Sequence, residues 1–376
     1  MTVGPLAGIR VVELAGIGPA PFAGMVLSDM GADVIRVDRP GHNVLRKEIT
    51  DRGKASIQID LKRAEGVELV IGLAKQAHVF IEGLRPGVVE RLGVGPDACV
   101  GVNPSLVYGR VTGWGQEGPL AQAAGHDINY IGLAGALAHM GRAGDKPTPA
   151  LNMVADFGGG GMLLVSGVLA ALIHATNTGE GQVVDAAMID GAALQMTMIH
   201  DLQSRGLWSD ERGTNLLDTG APFYDTYETA DGRFVAVGAL EPQFFGELVD
   251  RLGWSTELVA SQMDPSTWPA LRDRFTLTFK SRTQAEWIDL LEGTDACVTP
   301  VLTMEEATEH PHNRTRSTLV NESGRRMPAP APRFGATPLG DPGPSPSPGR
   351  DTDAILQTLG FDDSAISSLR DQNVVQ

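Results

Sequence analysis

The feature that most narrows what this chain can fold into is a strand–helix–strand alternation compressed into its first forty residues. Residues 9–14 (Ile-Arg-Val-Val-Glu-Leu) form a β-branched run that ends in a small-residue turn, Ala15-Gly16-Ile17-Gly18-Pro19-Ala20-Pro21. Residues 22–30 carry apolar side chains at helical spacing, Gly31 stands where a C-terminal glycine cap belongs, and 34–37 (Val-Ile-Arg-Val) read as a second buried strand. Two strands joined through a helix lie parallel, because the connection is a crossover and not a hairpin. The pattern continues with a helix at 67–75 and strands at 78–81 and 106–111. The expected fold is α/β, with a doubly wound parallel sheet.

The turn after the first strand invites a dinucleotide-binding reading and fails it, because the fingerprint wants a third glycine where Pro21 stands. A proline suits the first turn of a helix, so the segment reads as a strand-to-helix turn. Its backbone can still line a ligand site, since ligands of such sheets sit beyond the carboxyl ends of the strands. Further on, Asp156 and Phe157 lead into Gly158, Gly159, Gly160 and Gly161 and an apolar window at 160–173. That window is shorter than the ~18 residues a membrane span needs and reads as a buried helix.

Beyond residue 200 the composition shifts. Residues 213–221 are polar and turn-rich, an Asp231-Gly232 turn precedes a strand at 234–237, and helices are expected at 241–252, 268–278 and 284–291. The resulting organisation is a large domain over 1–200 and 325–376, whose C-terminal segment returns to it, and a smaller α+β domain over 222–310. Linkers are expected at 201–221 and 311–324. Four prolines between 342 and 348 predict an extended, mobile connection, followed by a short amphipathic helix near 353–359.

Thirty basic residues against 46 acidic ones leave a formal net charge of −16, which argues against broad binding to nucleic acid or an anionic membrane. A small anionic ligand is still accessible, because a few arginines dominate the field within a Debye length of roughly 8–10 Å. The two cysteines, Cys99 and Cys297, are too few for a disulfide scaffold or a zinc finger, and no metal site is signalled. No cationic and then apolar leader pattern opens the sequence, so a soluble, cytoplasmic protein is expected.

Three features could carry chemistry. His126 follows Gly125 in a polar loop and can be either a structural surface histidine or an acid/base group. Asp156 can be a helix N-cap, yet four glycines exceed what capping requires and would let a backbone approach a ligand and offer amide donors to an oxyanion. Arg39, Arg85 and Arg91 follow strand ends in an otherwise acidic chain and are either solvated or placed for phosphate contacts.

With these residues the sequence resembles the class III (CaiB/BaiF) coenzyme A-transferase superfamily. The likeness is carried by Glu13-Leu14-Ala15 and its turn, by residues 31–40 (Gly-Ala-Asp-Val-Ile-Arg-Val-Asp-Arg-Pro), by Glu82-Gly83-Leu84-Arg85-Pro86-Gly87, and by residues 112–119 (Thr-Gly-Trp-Gly-Gln-Glu-Gly-Pro). Gly125-His126-Asp127-Ile128-Asn129-Tyr130 and residues 221–227 (Ala-Pro-Phe-Tyr-Asp-Thr-Tyr) narrow it to the α-methylacyl-CoA racemase branch. It spans about residues 5–338 and leaves the proline-rich tail uncovered.

The resemblance implies a Rossmann-like large domain, a small domain, and an interlocked homodimer whose active site is shared between subunits. His126 and Asp156 match the family's two acid/base residues, and Glu241, contributed by the partner subunit, matches the group that hydrogen-bonds the histidine. Arg39, Ile59, Asp60, Leu61, Lys62, Gly83, Leu84, Arg85, Arg91, Gly125, Asp127 and Tyr130 match CoA-binding positions, while residues 41–56 depart from the family pattern. The implied reaction is interconversion of (2R)- and (2S)-2-methylacyl-CoA thioesters by 1,1-proton transfer through an enolate. Backbone N–H groups at Asp156, Phe157 and Gly158 are expected to hold the enolate oxygen, and no cofactor is expected. The nearest alternative is a CoA-transferase in which Asp156 is a nucleophile and forms an acyl anhydride. A non-catalytic CoA-binding protein would have no need of His126, Asp156 or Glu241.

Overall fold

The computed structural model describes residues 4–41, 48–322 and 324–376, and within them the chain divides into two compact units. Residues 42–47, which fall in the stretch that departs from the family pattern, lie outside the described residues. The first unit comprises 1–134, 151–195 and 317–376; the second comprises 135–150 and 196–316. Residues 135–150, expected in the large domain, therefore cluster with the smaller unit. Among the contacts that hold them there, the Arg142 guanidinium grips the buried Asp225 carboxylate through two hydrogen bonds of 3.0 and 2.7 Å, Trp208 donates to His139, and Arg212 donates to the Ala138 carbonyl.

The first unit is built on β1 (Arg10–Leu14), α1 (Pro19–Asp29), β2 (Asp33–Asp38), β3 (Ala55–Gln58), α2 (Ala64–Gln76) and β4 (Val79–Glu82). It continues through α3 (Val88–Arg91), α4 (Pro96–Val102), β5 (Val107–Thr112), α5 (Asp127–Leu133), α6 (Leu163–Thr178), β6 (Val183–Ala187) and α7 (Met188–Gln195). All six strands are parallel, in the order β3-β2-β1-β4-β5-β6. The strand order reverses between β1 and β4, the place where open α/β sheets form their ligand crevice. Gly18, at φ +73°, makes the left-handed entry to α1, and Pro19 and Pro21 occupy its first turn.

Strand alternation gives the two faces of the sheet different chemistry. Val12, Leu14, Ile35, Val37, Ile57 and Phe80 point to an apolar layer completed by Leu69, Val70 and Leu73 of α2 and by Ile355, Leu356, Ile366, Val374 and Val375 of the C-terminal segment. The face beneath α1 instead carries Glu13, Arg36, Asp38 and Lys54. Glu13 and Lys54 are both 0% exposed and are joined at 2.6 and 2.9 Å, and Lys54 also donates to the Pro21 carbonyl. Burial pushes the Glu13 carboxyl up to about 7 against the pull of Lys54. Gly24 of α1 is what makes room, since a Cβ there would lie 1.8 Å from Glu13 Oε2.

The glycine run at 158–161 is not a loop. Residues Met153–Met162 wind as a π-helix that continues into α6, so the helical run spans Met153–Thr178, 26 residues. By length and apolarity this run could cross a membrane, unlike the shorter window seen in the sequence; in this fold α6 covers β5 and β6. Its glycines serve close packing: a Cβ on Gly159 would stand 2.8 Å from the Ala192 N atom, one on Gly160 would meet Met188, and one on Gly161 would meet the Phe22 ring.

The proline-rich stretch, expected to be mobile, is instead pinned to the edge of this unit. Pro344 accepts from the Gly53 N–H, Ser345 Oγ donates to the Glu48 carbonyl, and the Gly349 N–H donates to Ser56 Oγ. The chain then returns to this unit, with Val375 bridging Ile59.

The second unit holds α8 (Thr197–Ser204) and an antiparallel sheet of β7 (Tyr224–Glu228), β8 (Phe234–Gly238) and β9 (Val298–Pro300). Against it pack α9 (Pro242–Arg251), α10 (Trp268–Phe279) and α11 (Gln284–Leu291), around Phe223, Phe245, Phe275, Phe279 and Trp287. Residues 201–221, expected as a linker, contribute buried polar structure to this unit: Asp218 accepts from the N–H groups of Gly213 and Asn215.

Two outcomes follow from this packing. Lys54→Met leaves a buried carboxyl without its cation and should cost about 3–5 kcal/mol in denaturant unfolding, most of it recovered in the Glu13→Gln/Lys54→Met double variant. Gly159→Ala forces its new methyl into the backbone of α7 and should cost about 1–3 kcal/mol, measured the same way.

Candidate active site

A cavity of about 480 Å³ opens at the carboxyl ends of β1, β4, β5 and β6. Its wall is made by Ile17, Gly18 and Pro19 after β1, by Gly83, Leu84, Arg85 and Pro86 after β4, by residues 111–114 at the end of β5, and by Met188 after β6. Gly125, His126, Tyr130, Asn152 and Asp156 complete it, so the two acid/base candidates face one space.

His126 is the N-cap residue of α5 and is exposed to the cavity; its own N–H donates to Asn129 Oδ1 at 3.0 Å, which fixes the start of the helix. Tyr130, one turn along, is buried edge-on against Trp114 at 4.8 Å. That ring explains two glycines of the family-like motifs. A Cβ at Gly113 would lie 2.3 Å from the Tyr130 ring, and one at Gly125 would lie 2.7 Å from it.

Asp156 is not a helix cap. The N-cap of the π-helix is Asn152, and Asp156 lies within the helical run, half-buried at the cavity wall. Burial pushes its carboxyl above the usual carboxylate range, the neighbouring Asp127 pushes in the same direction, and Asn152 and His126 oppose both. Asn152 Nδ2 donates to Asp156 Oδ2 at 3.4 Å. Sequence reading missed Asn152. Its signal is the four-residue spacing to Asp156, hidden because the glycine run does not read as a helix.

Asp127 differs from expectation. Its side chain is 3% exposed and turns inward, where Oδ2 accepts from the Ala155 N–H at 2.7 Å and the Asp156 N–H at 2.8 Å. A carboxylate so placed has no oxygen to offer CoA from the cavity side. The same bond corrects a second expectation, because the Asp156 N–H is already occupied and is not free to hold an oxyanion. Phe157 packs its ring on Phe22, and Gly158 abuts Gln195.

The remaining expected CoA contacts fall into two groups. Gly83, Leu84, Arg85, Gly125 and Tyr130 line the cavity. Arg39 after β2 and Arg91 of α3 are exposed elsewhere on the same unit, as is Lys62, whose N–H caps on Asp60 Oδ1 at 3.0 Å. Ile59 is 2% exposed, sits in the apolar layer and gives its N–H to the Asp38 carbonyl, so its side chain is withdrawn from any ligand. Leu61 packs against that same layer. Glu241 belongs to the second unit, where it is the exposed N-cap residue of α9.

Comparison with known proteins agrees with this architecture. The family model described as CoA-transferase family III matches residues 6–352. Alpha-methylacyl-CoA racemase of Mus musculus is 45% identical over 374 residues, covering 99% of this chain and 97% of that protein. The Homo sapiens protein of the same name is 44% identical over 375 residues, with the same coverage. Succinyl-CoA:glutarate CoA-transferase of Homo sapiens is 28% identical over 401 residues, covering 99% of this chain and 90% of that one. Among solved structures, a CaiB/BaiF family protein from Brucella suis superposes with a TM-score of 0.80 at 26% identity, covering 95% of this chain and all of that one. The chain belongs to CoA-transferase family III.

Proposed function

We propose that this protein is an isomerase that interconverts (2R)- and (2S)-2-methylacyl-CoA thioesters. The observation that carries the reading is the pair His126 and Asp156 on the wall of one cavity, in a chain 45% identical to a racemase over nearly its whole length. The α-proton of a thioester is only weakly acidic, so its removal needs a positioned base and a stabilised enolate oxygen. Inversion adds a second acid/base group on the opposite face of the α-carbon. One of the two side chains takes the proton, the planar enolate forms, and the other returns a proton from the far side. The raised carboxyl of Asp156 suits it to both roles, because its acid and base forms coexist closer to neutral pH. The Asp156 N–H is engaged by Asp127, and those of Phe157 and Gly158 lie past the first turn of the π-helix, so the oxyanion falls to the first-turn N–H groups of α5, which begins at the cavity.

Arg85 at the cavity, with Arg39, Arg91, Asp60 and Lys62 beyond it, would hold the phosphates and nucleotide of CoA. The reaction asks for no metal or redox cofactor. We further infer a homodimer in which Glu241 of the partner subunit orients the His126 imidazole. In its support, Ile128, Leu133, Leu151 and Met153 stand exposed on the two segments that carry the acid/base pair, an apolar surface of the kind a subunit contact covers.

In heavy water, either enantiomer of a 2-methylacyl-CoA ester should gain deuterium at the α-carbon; exchange from neither would remove the proposal. His126→Ala and Asp156→Ala should each lower racemisation by about 10²–10⁴-fold, read by chiral analysis of the product. Trapping an acyl-enzyme with hydroxylamine would favour the transferase reading. In the direction that uses Asp156 as base, the carboxyl must be ionised, so the rate should fall as pH drops through a value above the ordinary ~3.9. Asn152→Ala removes a donor to the ionised form and should move that acid limb to higher pH in a kcat/KM profile.

A further inference from the structure

We propose that Asp127 is a positioning residue of the reaction, its buried carboxylate locking the first turns of the π-helix to the start of α5 and so setting the separation of the His126 and Asp156 side chains. The proposal rests on the reading of the site as a racemase. Asp127 is the immediate neighbour of His126 in the chain, and Oδ2 accepts from the N–H groups of both Ala155 and Asp156. One atom therefore ties the backbone that carries the imidazole to the backbone that carries the carboxyl, across 29 residues of sequence. The contact is dry, since Asp127 is 3% exposed and Ala155 is buried. Two N–H donors on one carboxylate oxygen make a directional link, whereas the second oxygen, Oδ1, is buried with no partner among the described residues. Misplacing a catalytic group by about 1 Å can cost on the order of 10²-fold in rate, so a link of this kind acts on turnover and not on CoA affinity.

The charge has an effect of its own. Asp156 faces Asp127 and Asn152 from below and His126 across the cavity, with Tyr130 and Arg85 nearby; of these, Asp127 is the anion that raises the Asp156 carboxyl.

Asp127→Asn and Asp127→Ala separate geometry from charge, because an amide oxygen can still accept both N–H groups while its NH₂ takes the place of Oδ1. Asp127→Ala should lower kcat by about 10²-fold with KM for the CoA ester within about threefold of the parent. Asp127→Asn should recover most of that kcat and move the acid limb of the pH profile to lower pH than the parent's. Amide hydrogen exchange of the substrate-free protein adds a readout independent of chemistry: protection at Ala155 and Asp156 should persist in Asp127→Asn and be lost in Asp127→Ala. A rise in KM with unchanged kcat in Asp127→Ala would make Asp127 a CoA contact and overturn the proposal, as would equal protection in both variants. If the parent protein exchanges no α-proton, the racemase reading fails while the exchange data still report on the link.

Discussion

A backbone-to-backbone contact between helices governs the site. Gly159 and Gly191 stand so close that a Cβ on Gly191 would fall 1.9 Å from the Gly159 carbonyl oxygen. Only side-chain-free residues allow that approach, and it holds the π-helix against α7 and α1 beneath the carboxyl ends of the sheet. Asp156 sits in that π-helix, so its place in the cavity is fixed by packing behind it more than by anything in front. The Asp127 carboxylate adds the lateral tie. Wide helical turns are found disproportionately at functional sites, and here the widening coincides with Asp156 at the cavity wall.

Electrostatics runs in layers around this contact. Under α1 the fold buries Glu13 with Lys54 and Arg36 with Asp38 and Asp51, each carboxylate matched by a cation within hydrogen-bond reach. At the cavity wall the balance is left incomplete: Asp156 has an amide and an imidazole for neighbours and an anion behind it. A fully paired carboxylate would be a poor proton acceptor near neutral pH, and a fully desolvated one would seldom ionise. The half-buried, half-compensated setting lies between those limits.

Much of the fold is legible in the chain because its strands are short, β-branched and separated by helices with ordinary stops. β1, β2, β4 and β5 fall within a residue or two of where alternation places them, and so do α9, α10 and α11. The π-helix is not legible, since four glycines in a row carry poor helix propensity and their reason lies in Met188, Ala192 and Phe22, remote in sequence. His126 and Asp156 emerge from residue chemistry and family likeness together. The role of Asp127 does not, because a polar residue beside a histidine reads as a ligand contact until its acceptor geometry is seen. Ile59 illustrates the opposite error: a motif position can match while its side chain serves the core. Residues 135–150 are illegible for a similar reason, as long-range contacts assign them, the grip of Arg142 on Asp225 and the bonds of Trp208 and Arg212 to His139 and Ala138.

The apolar layer under the sheet includes Val374 and Val375, and the bridge from Val375 to Ile59 closes the edge beside β3. The larger unit is thus assembled from three stretches of chain, the last of which leaves the ribosome after the whole of the smaller unit. During synthesis the outer edge of β3 has no cover until residues 344–376 emerge, among them Asp351, which bonds both the N–H and the carbonyl of Ser56, so the nascent sheet carries an open, pairing-prone margin for most of its birth.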